Sequence, residues 1–202
     1  MHKTSLVMTH GAGAPIDSLV LTQFQNNLIN QNFNVHAFNF PYMQKIIELG
    51  KRRPPERVDK LAIQFAEQIK PSNNSNCIAG KSMGGRVATL LAADRANDHL
   101  NISHIFVWGY PFFAPKKEQP RTDHFKDIKA QVHIFQGTRD AFGKPDRIDP
   151  LNLPDNIHIH WIDGADHDFK ILKRLNISTE ETIAQICKKM REIMEGSSIL
   201  NE

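Results

Sequence analysis

The chain has 202 residues, 40% hydrophobic and 23% charged, and its 25 basic and 22 acidic side chains leave a net charge of +3. That length suffices for one domain with a three-layer core, and the composition is that of an ordinary soluble globular protein, not a disordered or fibrous one. The basic residues are scattered, and a run such as Lys51-Arg52-Arg53 reads as a solvated loop, so no nucleic-acid partner is expected.

Cys77 and Cys187 both fall in apolar contexts and read as buried free thiols, since two cysteines make no disulfide framework. The apolar run near the N-terminus, around Leu6-Val7-Met8, is too short for a signal peptide or a membrane span. A reducing cytoplasm is therefore the expected compartment, and no membrane partner is expected.

Short apolar runs alternate with helical patterns, which predicts βα units and a parallel sheet. In chain order the pattern predicts a strand at Ser5–Thr9, a helix at Asp17–Asn30 and a strand at Asn34–Phe40. A helix follows at Glu56–Lys70, where Val58, Leu61, Ala62, Phe65, Ala66 and Ile69 recur at i, i+3, i+4 behind Pro54-Pro55. Next come a strand at Asn76–Ala79, a helix at Gly84–Ala96, strands at Ile102–Trp108 and Val132–Gln136, and a strand at Ile157–Ile162. The segment Thr122–Ile128 reads as a short helix. The last helix, Thr179–Met194, opens on the capping box Ser178-Thr179-Glu180-Glu181. The tail from about Gly196 is expected to fray, and residues 1–202 read as one domain with no internal repeat.

The first and fourth strands are continuous apolar runs, as suits strands covered on both faces. The second and sixth carry interspersed polar residues, as suits edges. The predicted architecture is a doubly wound, mainly parallel six-stranded sheet of order 2-1-3-4-5-6 with helices on both faces. Its ligand site is expected beyond the carboxyl ends of the central strands.

The sharpest chemical signal is Gly80-Lys81-Ser82-Met83-Gly84-Gly85, between the strand end Cys77-Ile78-Ala79 and an Ala-rich helix. G-x-S-x-G on a strand-turn-helix is a nucleophile elbow, and glycines let strand and helix approach at a tight turn. Gly80-Lys81-Ser82 also ends a P-loop pattern, but Ser75 stands where the first P-loop glycine belongs, and the loop is too short to wrap a phosphate. Downstream, Asp140 follows a strand end in Gly137-Thr138-Arg139-Asp140, and His167 lies on the loop Gly164-Ala165-Asp166-His167-Asp168. The chain order Ser, Asp, His predicts that His167 takes the Ser82 proton while Asp140 fixes its tautomer. Asp166 and Asp168 compete as acids by proximity, but residues next to a loop histidine rarely reach its Nδ1, and Asp168 reads as a turn or helix cap. Thr9-His10-Gly11-Ala12 after the first strand is expected to supply a second oxyanion N–H from Ala12 beside that of Met83, with His10 structural. His158 and His160 form an H-x-H pair without an accompanying acid or thiol cluster, so neither metal nor cofactor is expected.

Together, Gly80–Gly85, Gly137–Asp140, His10–Gly13 and Gly164–His167 resemble the α/β-hydrolase superfamily, and more narrowly its small, lidless dienelactone-hydrolase-like members. The group includes the testis-expressed hydrolase-like proteins and the hydrolase-like part of a chromatin acetyltransferase-complex subunit. The resemblance extends over nearly the whole chain, including Lys51–Pro55 and Gly109-Tyr110-Pro111. It implies a minimal α/β-hydrolase fold without a lid and a triad of Ser82, Asp140 and His167. Dienelactone hydrolases use a cysteine nucleophile, so a serine here points to esters or thioesters.

The expected activity is hydrolysis of a small-molecule carboxylic ester or thioester through an acyl-enzyme. The alternative is a hydrolase-fold interaction module with an idle triad. The short stretch Gly109–Lys129 leaves no room for a helical lid, predicting an open site that prefers short acyl chains, with Tyr42, Tyr110 and Phe112 as its walls. Arg52 and Arg53, stiffened by Pro54-Pro55, are candidates to bind an acidic substrate group.

Overall fold

The computed structural model describes residues 3–70 and 75–199. Six strands, β1 (Thr4–Thr9), β2 (Phe33–Phe38), β3 (Asn76–Lys81), β4 (Ile102–Trp108), β5 (Gln131–Gly137) and β6 (Ile157–Ile162), form one sheet of order β2-β1-β3-β4-β5-β6. Every neighbouring pair is parallel. The helices are α1 (Leu19–Asn30), α2 (Pro41–Leu49), α3 (Val58–Ala66), α4 (Met83–Ala93), α5 (Pro145–Ile148) and α6 (Thr179–Ile199).

Alternation along the strands sorts the core into two layers. Val7, Ile78, Ile105, Val107, Val132 and Ile134 face one side and pack with Leu61 and Phe65 of α3 and Val87 and Leu91 of α4. Leu6, Met8, Phe106, Trp108 and Phe135 face the other, against Phe24 and Leu28 of α1 and Ile183, Ile186 and Met190 of α6. The central strand β3 is buried along its whole length, as a strand covered on both faces must be. Cys77 and Cys187 are free and buried.

The differences from the predicted boundaries have local causes. β2 stops at Phe38, because the Phe40 N–H donates to His10 Nε2 at 3.1 Å and Asn39 Oδ1 accepts from the Ile16 N–H at 2.8 Å, outside the strand ladder. The unpredicted α2 then begins at Pro41 and ends at Gly50, which adopts a left-handed φ of 63°. Both are ordinary helix punctuation. α4 ends at Ala93 rather than Ala96, because the Asp94 side chain accepts from the Ala96 N–H at 3.0 Å and starts a 3-10 helix at Arg95–Leu100. Of the segment Thr122–Ile128, only Phe125–Asp127 is helical, and that as a 3-10 turn. The capping box forms as the pattern predicts: the Ser178 N–H donates to Glu181 Oε2 at 2.7 Å and the Glu181 N–H to Ser178 Oγ at 3.0 Å. α6 continues past Gly196 to Ile199, and residues 200–202 lie outside the described residues.

The strand order places the site. From β1 the chain runs outward to β2, then crosses back to β3 on the other side of β1, so the connections leaving β1 and β3 diverge to opposite faces. The gap beyond the carboxyl ends of these strands is the topological switch point where doubly wound sheets bind ligands. The loops Thr9–Gly13 and Lys81–Met83 open onto it.

At the far edge of the sheet, histidines stack across the strands on the α6 side. The His133 ring lies 5.9 Å from that of His104 and 4.8 Å from that of His158, and His133 Nδ1 is 3.1 Å from His160 Nε2. Burial, reinforced by the neighbouring imidazoles and Lys189, pushes His133 down to about 3, and burial pushes His160 down to about 4. An imidazole held neutral when folded but free to protonate when unfolded stabilises the fold fully above the ordinary histidine pKa. That stabilisation is lost as pH falls from there toward about 3. For His133 the loss amounts to at most about 2 kcal/mol between pH 7 and pH 5. Urea titrations should therefore show a stability that falls over this range, with a visibly smaller fall in His133→Gln. An equal pH dependence in the two proteins would show that the stack does not carry it.

Candidate active site

Ser82 sits at the sharpest bend of the chain. Its backbone adopts φ 51° and ψ −113°, a strained conformation for a residue with a side chain. Its N–H donates to the Trp108 carbonyl at 3.0 Å and its carbonyl accepts from the Arg86 N–H at 3.0 Å, so the bend is clamped between β4 and the first turn of α4. The bend requires its glycines. A Cβ on Gly80 would lie 2.3 Å from the Gly84 carbonyl carbon, and one on Gly84 would lie 2.5 Å from the His10 carbonyl oxygen. Strand, helix and the loop after β1 thus meet without room for a methyl group.

His167 Nε2 lies 2.9 Å from Ser82 Oγ, and His167 Nδ1 lies 2.6 Å from Asp140 Oδ2. An ionised carboxylate only accepts hydrogen bonds, so it selects the Nδ1–H tautomer and leaves the Nε2 lone pair facing the serine hydroxyl. Asp140 is fully buried. Its Oδ1 accepts from the Phe142 N–H at 2.8 Å and its Oδ2 from Gln136 Nε2 at 3.0 Å. Gln136 is held in turn, donating to the Gly143 carbonyl at 3.2 Å and accepting from the Tyr110 N–H at 2.8 Å. The Phe142 ring lies 4.6 Å from the imidazole, and a Cβ on Gly109 (φ 68°) would lie 3.1 Å from His167 Nδ1. The imidazole is confined on several sides.

The neighbouring aspartates hold the histidine loop and do not approach its ring nitrogens. Asp166 Oδ1 accepts from the N–H groups of Asp168 at 2.9 Å and Lys170 at 3.0 Å, so Asp166 is the turn cap, not Asp168. Asp168 reaches Lys81 instead, 3.4 Å from its Nζ. Lys81 is almost fully buried, and burial pushes its ammonium down while Asp168, Asp140 and Asp166 oppose the shift. This ion pair joins the turn at Ser82 to the histidine loop.

The loop after β1 is held by His10 and Tyr42. His10 Nε2 accepts from the Phe40 N–H, so the ring proton resides on Nδ1, which donates to the Gly11 carbonyl at 2.6 Å. Burial lowers the His10 pKa, consistent with this neutral form. The Tyr42 hydroxyl donates to the carbonyls of Gly11 at 3.3 Å and Ala12 at 3.2 Å, and burial pushes its pKa up to about 12. Met83 is the first residue of α4, where geometry leaves the N–H without an intrahelical acceptor. Ala12 borders the same cavity as Ser82.

That cavity encloses about 470 Å3. Its apolar walls are Ala12, Ala14, Leu19, Val20, Leu21 and Phe142, with Lys81, Ser82, His167 and Asp168 as its polar side. The walls predicted from sequence lie elsewhere. Tyr42 is buried beneath the loop it braces. Tyr110 and Phe112 are fully buried, their rings 4.8 Å apart, because the left-handed turn at Gly109 sends them into the core on the α3 and α4 side. Arg52 and Arg53 line an adjoining cavity of about 350 Å3 that shares Ala12 and Gly13 with the first, so they stand behind the loop and not over Ser82. His158 is engaged with Gln131, Nε2 to Oε1 at 2.9 Å, and His160 with His133, far from the site. The walls on α1 escaped sequence reading because Leu19 and Val20 match an ordinary amphipathic helix start. Leu19 betrays itself only in three dimensions, being 76% exposed at the cavity.

A family model described as an alpha/beta hydrolase domain matches residues 2–195. No curated protein matches. Among solved structures, the chain is similar to a protein of unknown function from Agrobacterium tumefaciens (TM-score 0.66, 14% identity, covering 96% of this chain and 87% of that one). It is also similar to a dienelactone hydrolase from Anabaena variabilis (TM-score 0.62, 14% identity, 93% and 85% covered). A third is a serine hydrolase without lid from Xanthomonas campestris (TM-score 0.58, 17% identity, 94% and 83% covered). At these identities the structural likenesses show the fold, and the family match over nearly the whole length carries the assignment. The chain belongs to the alpha/beta hydrolase domain family.

Proposed function

We propose that this hydrolase-family protein is a serine hydrolase cleaving small carboxylic esters or thioesters, with Ser82 as nucleophile, His167 as base and Asp140 as its orienting acid. The single observation that carries the reading is the continuous chain from Ser82 Oγ to His167 Nε2 at 2.9 Å and from His167 Nδ1 to the buried Asp140 at 2.6 Å. In this reading Ser82 Oγ attacks the substrate carbonyl carbon while its proton passes to His167 Nε2. The N–H groups of Met83 and Ala12 face the charge that develops on the carbonyl oxygen. Collapse of the tetrahedral intermediate breaks the ester or thioester bond, and His167 returns the proton to the leaving alcohol or thiol. Water, activated by the same imidazole, then releases the acid and restores Ser82.

The walls Leu19, Val20 and Phe142 suit an apolar acyl group, and Lys81 with Asp168 gives the cavity one polar side. The β4–β5 connection carries a 3-10 turn and a single antiparallel bridge, Phe113 to Pro120, and no α-helix, so it supplies no helical lid. A long chain would gain little from apolar surface left in water, and short acyl groups are favoured. Two buried free thiols suit a reducing compartment such as the cytoplasm.

A fluorophosphonate tests the reading without the natural substrate, because it labels a serine only when base and oxyanion donors act together. We expect stoichiometric labelling at Ser82, lost in Ser82→Ala and strongly slowed in His167→Ala. Absence of labelling in the folded protein would favour the interaction-module reading. With an active acyl ester, Asp140→Asn should lower turnover by about 1,000-fold or more, and Asp166→Asn and Asp168→Asn by far less. Equal losses at Asp140 and Asp166 would refute the assignment of the acid. Butyryl esters should turn over faster than palmitoyl esters, and the reverse order would rule out the open, short-chain site.

A further inference from the structure

A second cavity, of about 550 Å3, lies between α4 and the β4–β5 connection and shares no lining residue with the Ser82 cavity. Its polar lining consists of Arg86, Lys117, Arg121, Asp123, His124 and Gln119. Among the described residues, neither Arg86 nor Arg121 forms an ion pair with a carboxylate. We propose that this cavity binds the dianionic phosphate group of a small phosphate monoester.

Arg86 is turned inward. The buried Tyr110 hydroxyl donates to the Arg121 carbonyl at 2.7 Å, and the Arg86 guanidinium beside that hydroxyl opposes the rise in pKa that burial imposes on it. Arg86 Nε is buried and has no hydrogen-bond partner, an unfavourable state for a charged donor unless an acceptor arrives. Arg121 is close enough to feel it: burial and then the Arg86 charge lower the Arg121 pKa. Two guanidiniums that repel across an open cavity, with a lysine at its edge, form a receptor for an anion.

His124 adds no charge to the lining. Burial, then Arg86, pushes its pKa down to about 4 against the opposing pull of Asp123 and Asp127, so the ring is neutral at physiological pH. The Thr89 hydroxyl donates to the Arg86 carbonyl at 2.8 Å and therefore accepts from His124 Nε2 at 2.9 Å. Three cations against the single carboxylate of Asp123 leave two positive charges in the lining. A phosphate monoester, with its second pKa near 6, is a dianion at neutral pH and supplies the matching charge together with oxygens for both guanidinium forks. A carboxylate would neutralise only half of it. The volume exceeds that of a bare phosphate and leaves space for a small ester substituent beside Leu90 and Pro120.

The experiment is calorimetric titration of the full chain with inorganic phosphate and with glycerol phosphate at constant ionic strength, with acetate and chloride as controls. Saturable 1:1 binding of glycerol phosphate, at least as tight as that of inorganic phosphate, is expected. It should weaken by at least about tenfold in Arg86→Met and in Arg121→Gln. Arg121 lies on the connection outside the helices, so Arg121→Gln keeps the test valid if Arg86→Met disturbs α4. Ser82→Ala should bind glycerol phosphate unchanged, which separates this outcome from that of the labelling experiment. Binding no stronger than that of acetate, binding of inorganic phosphate alone, or full affinity in Arg121→Gln would each overturn the proposal.

Discussion

Three backbone segments converge on a volume too small for one additional methyl group. The end of β3 presses on the first turn of α4 at Gly80, and that turn presses on the loop after β1 at Gly84. Because these contacts leave no slack, Ser82 has no conformation but the strained left-handed one, and its hydroxyl projects beyond the sheet. The same crowding brings Ala12 against the cavity and sets Met83 at the head of α4, so Ser82 and the two backbone N–H groups proposed to act with it are arranged by one steric constraint. The opposite loop, carrying His167, is joined to this centre by the Lys81–Asp168 ion pair and by the buried network of Asp140 and Gln136. Positioning is thus shared between exclusion of volume on one side and satisfied polar groups on the other.

The protein uses histidine in three physically different ways. His10 is buried and neutral, with both ring nitrogens committed to backbone groups, so it works as a fixed brace. His133 and His160 stack in a partly buried row that stays neutral well into acid, which makes them elements of the fold with a pH-dependent contribution. Among the described residues, His167 alone has one nitrogen on a buried carboxylate and the other on a serine hydroxyl at a cavity, the arrangement that can pass a proton. The distinction lies in the partners of the two ring nitrogens, not in the residue.

The cations divide in a similar manner. Lys81, buried beside Ser82, has a carboxylate partner, so its charge is largely matched within the chain. Arg86, in the first turn of the following helix α4, pairs with no carboxylate among the described residues, and the pocket it faces is bordered by more positive than negative charge. The strand-turn-helix segment around Ser82 therefore has a balanced site at the end of β3 and an unbalanced one on the flank of α4.

The order of strands, the parallel sheet, the elbow around Ser82 and the residues Asp140 and His167 were legible in the sequence, because each depends on local pattern: hydrophobic alternation, glycine spacing and position at a strand end. α2 was legible in principle through Pro41 and Gly50, which punctuate its two ends. The lining of the cavity was not legible. Tyr110 and Phe112 follow a strand end as site walls often do, yet the single left-handed residue Gly109 rotates them into the core, and α1, about sixty residues before Ser82 in sequence, supplies the wall instead. Gln136 was hidden because a strand residue shows nothing of which buried carboxylate its amide will meet. By itself the sequence determined the six strands, most of the helices and which residues are chemically equipped. The tertiary structure decided which of them face one another, because side-chain direction depends on turns and packing between segments distant along the chain.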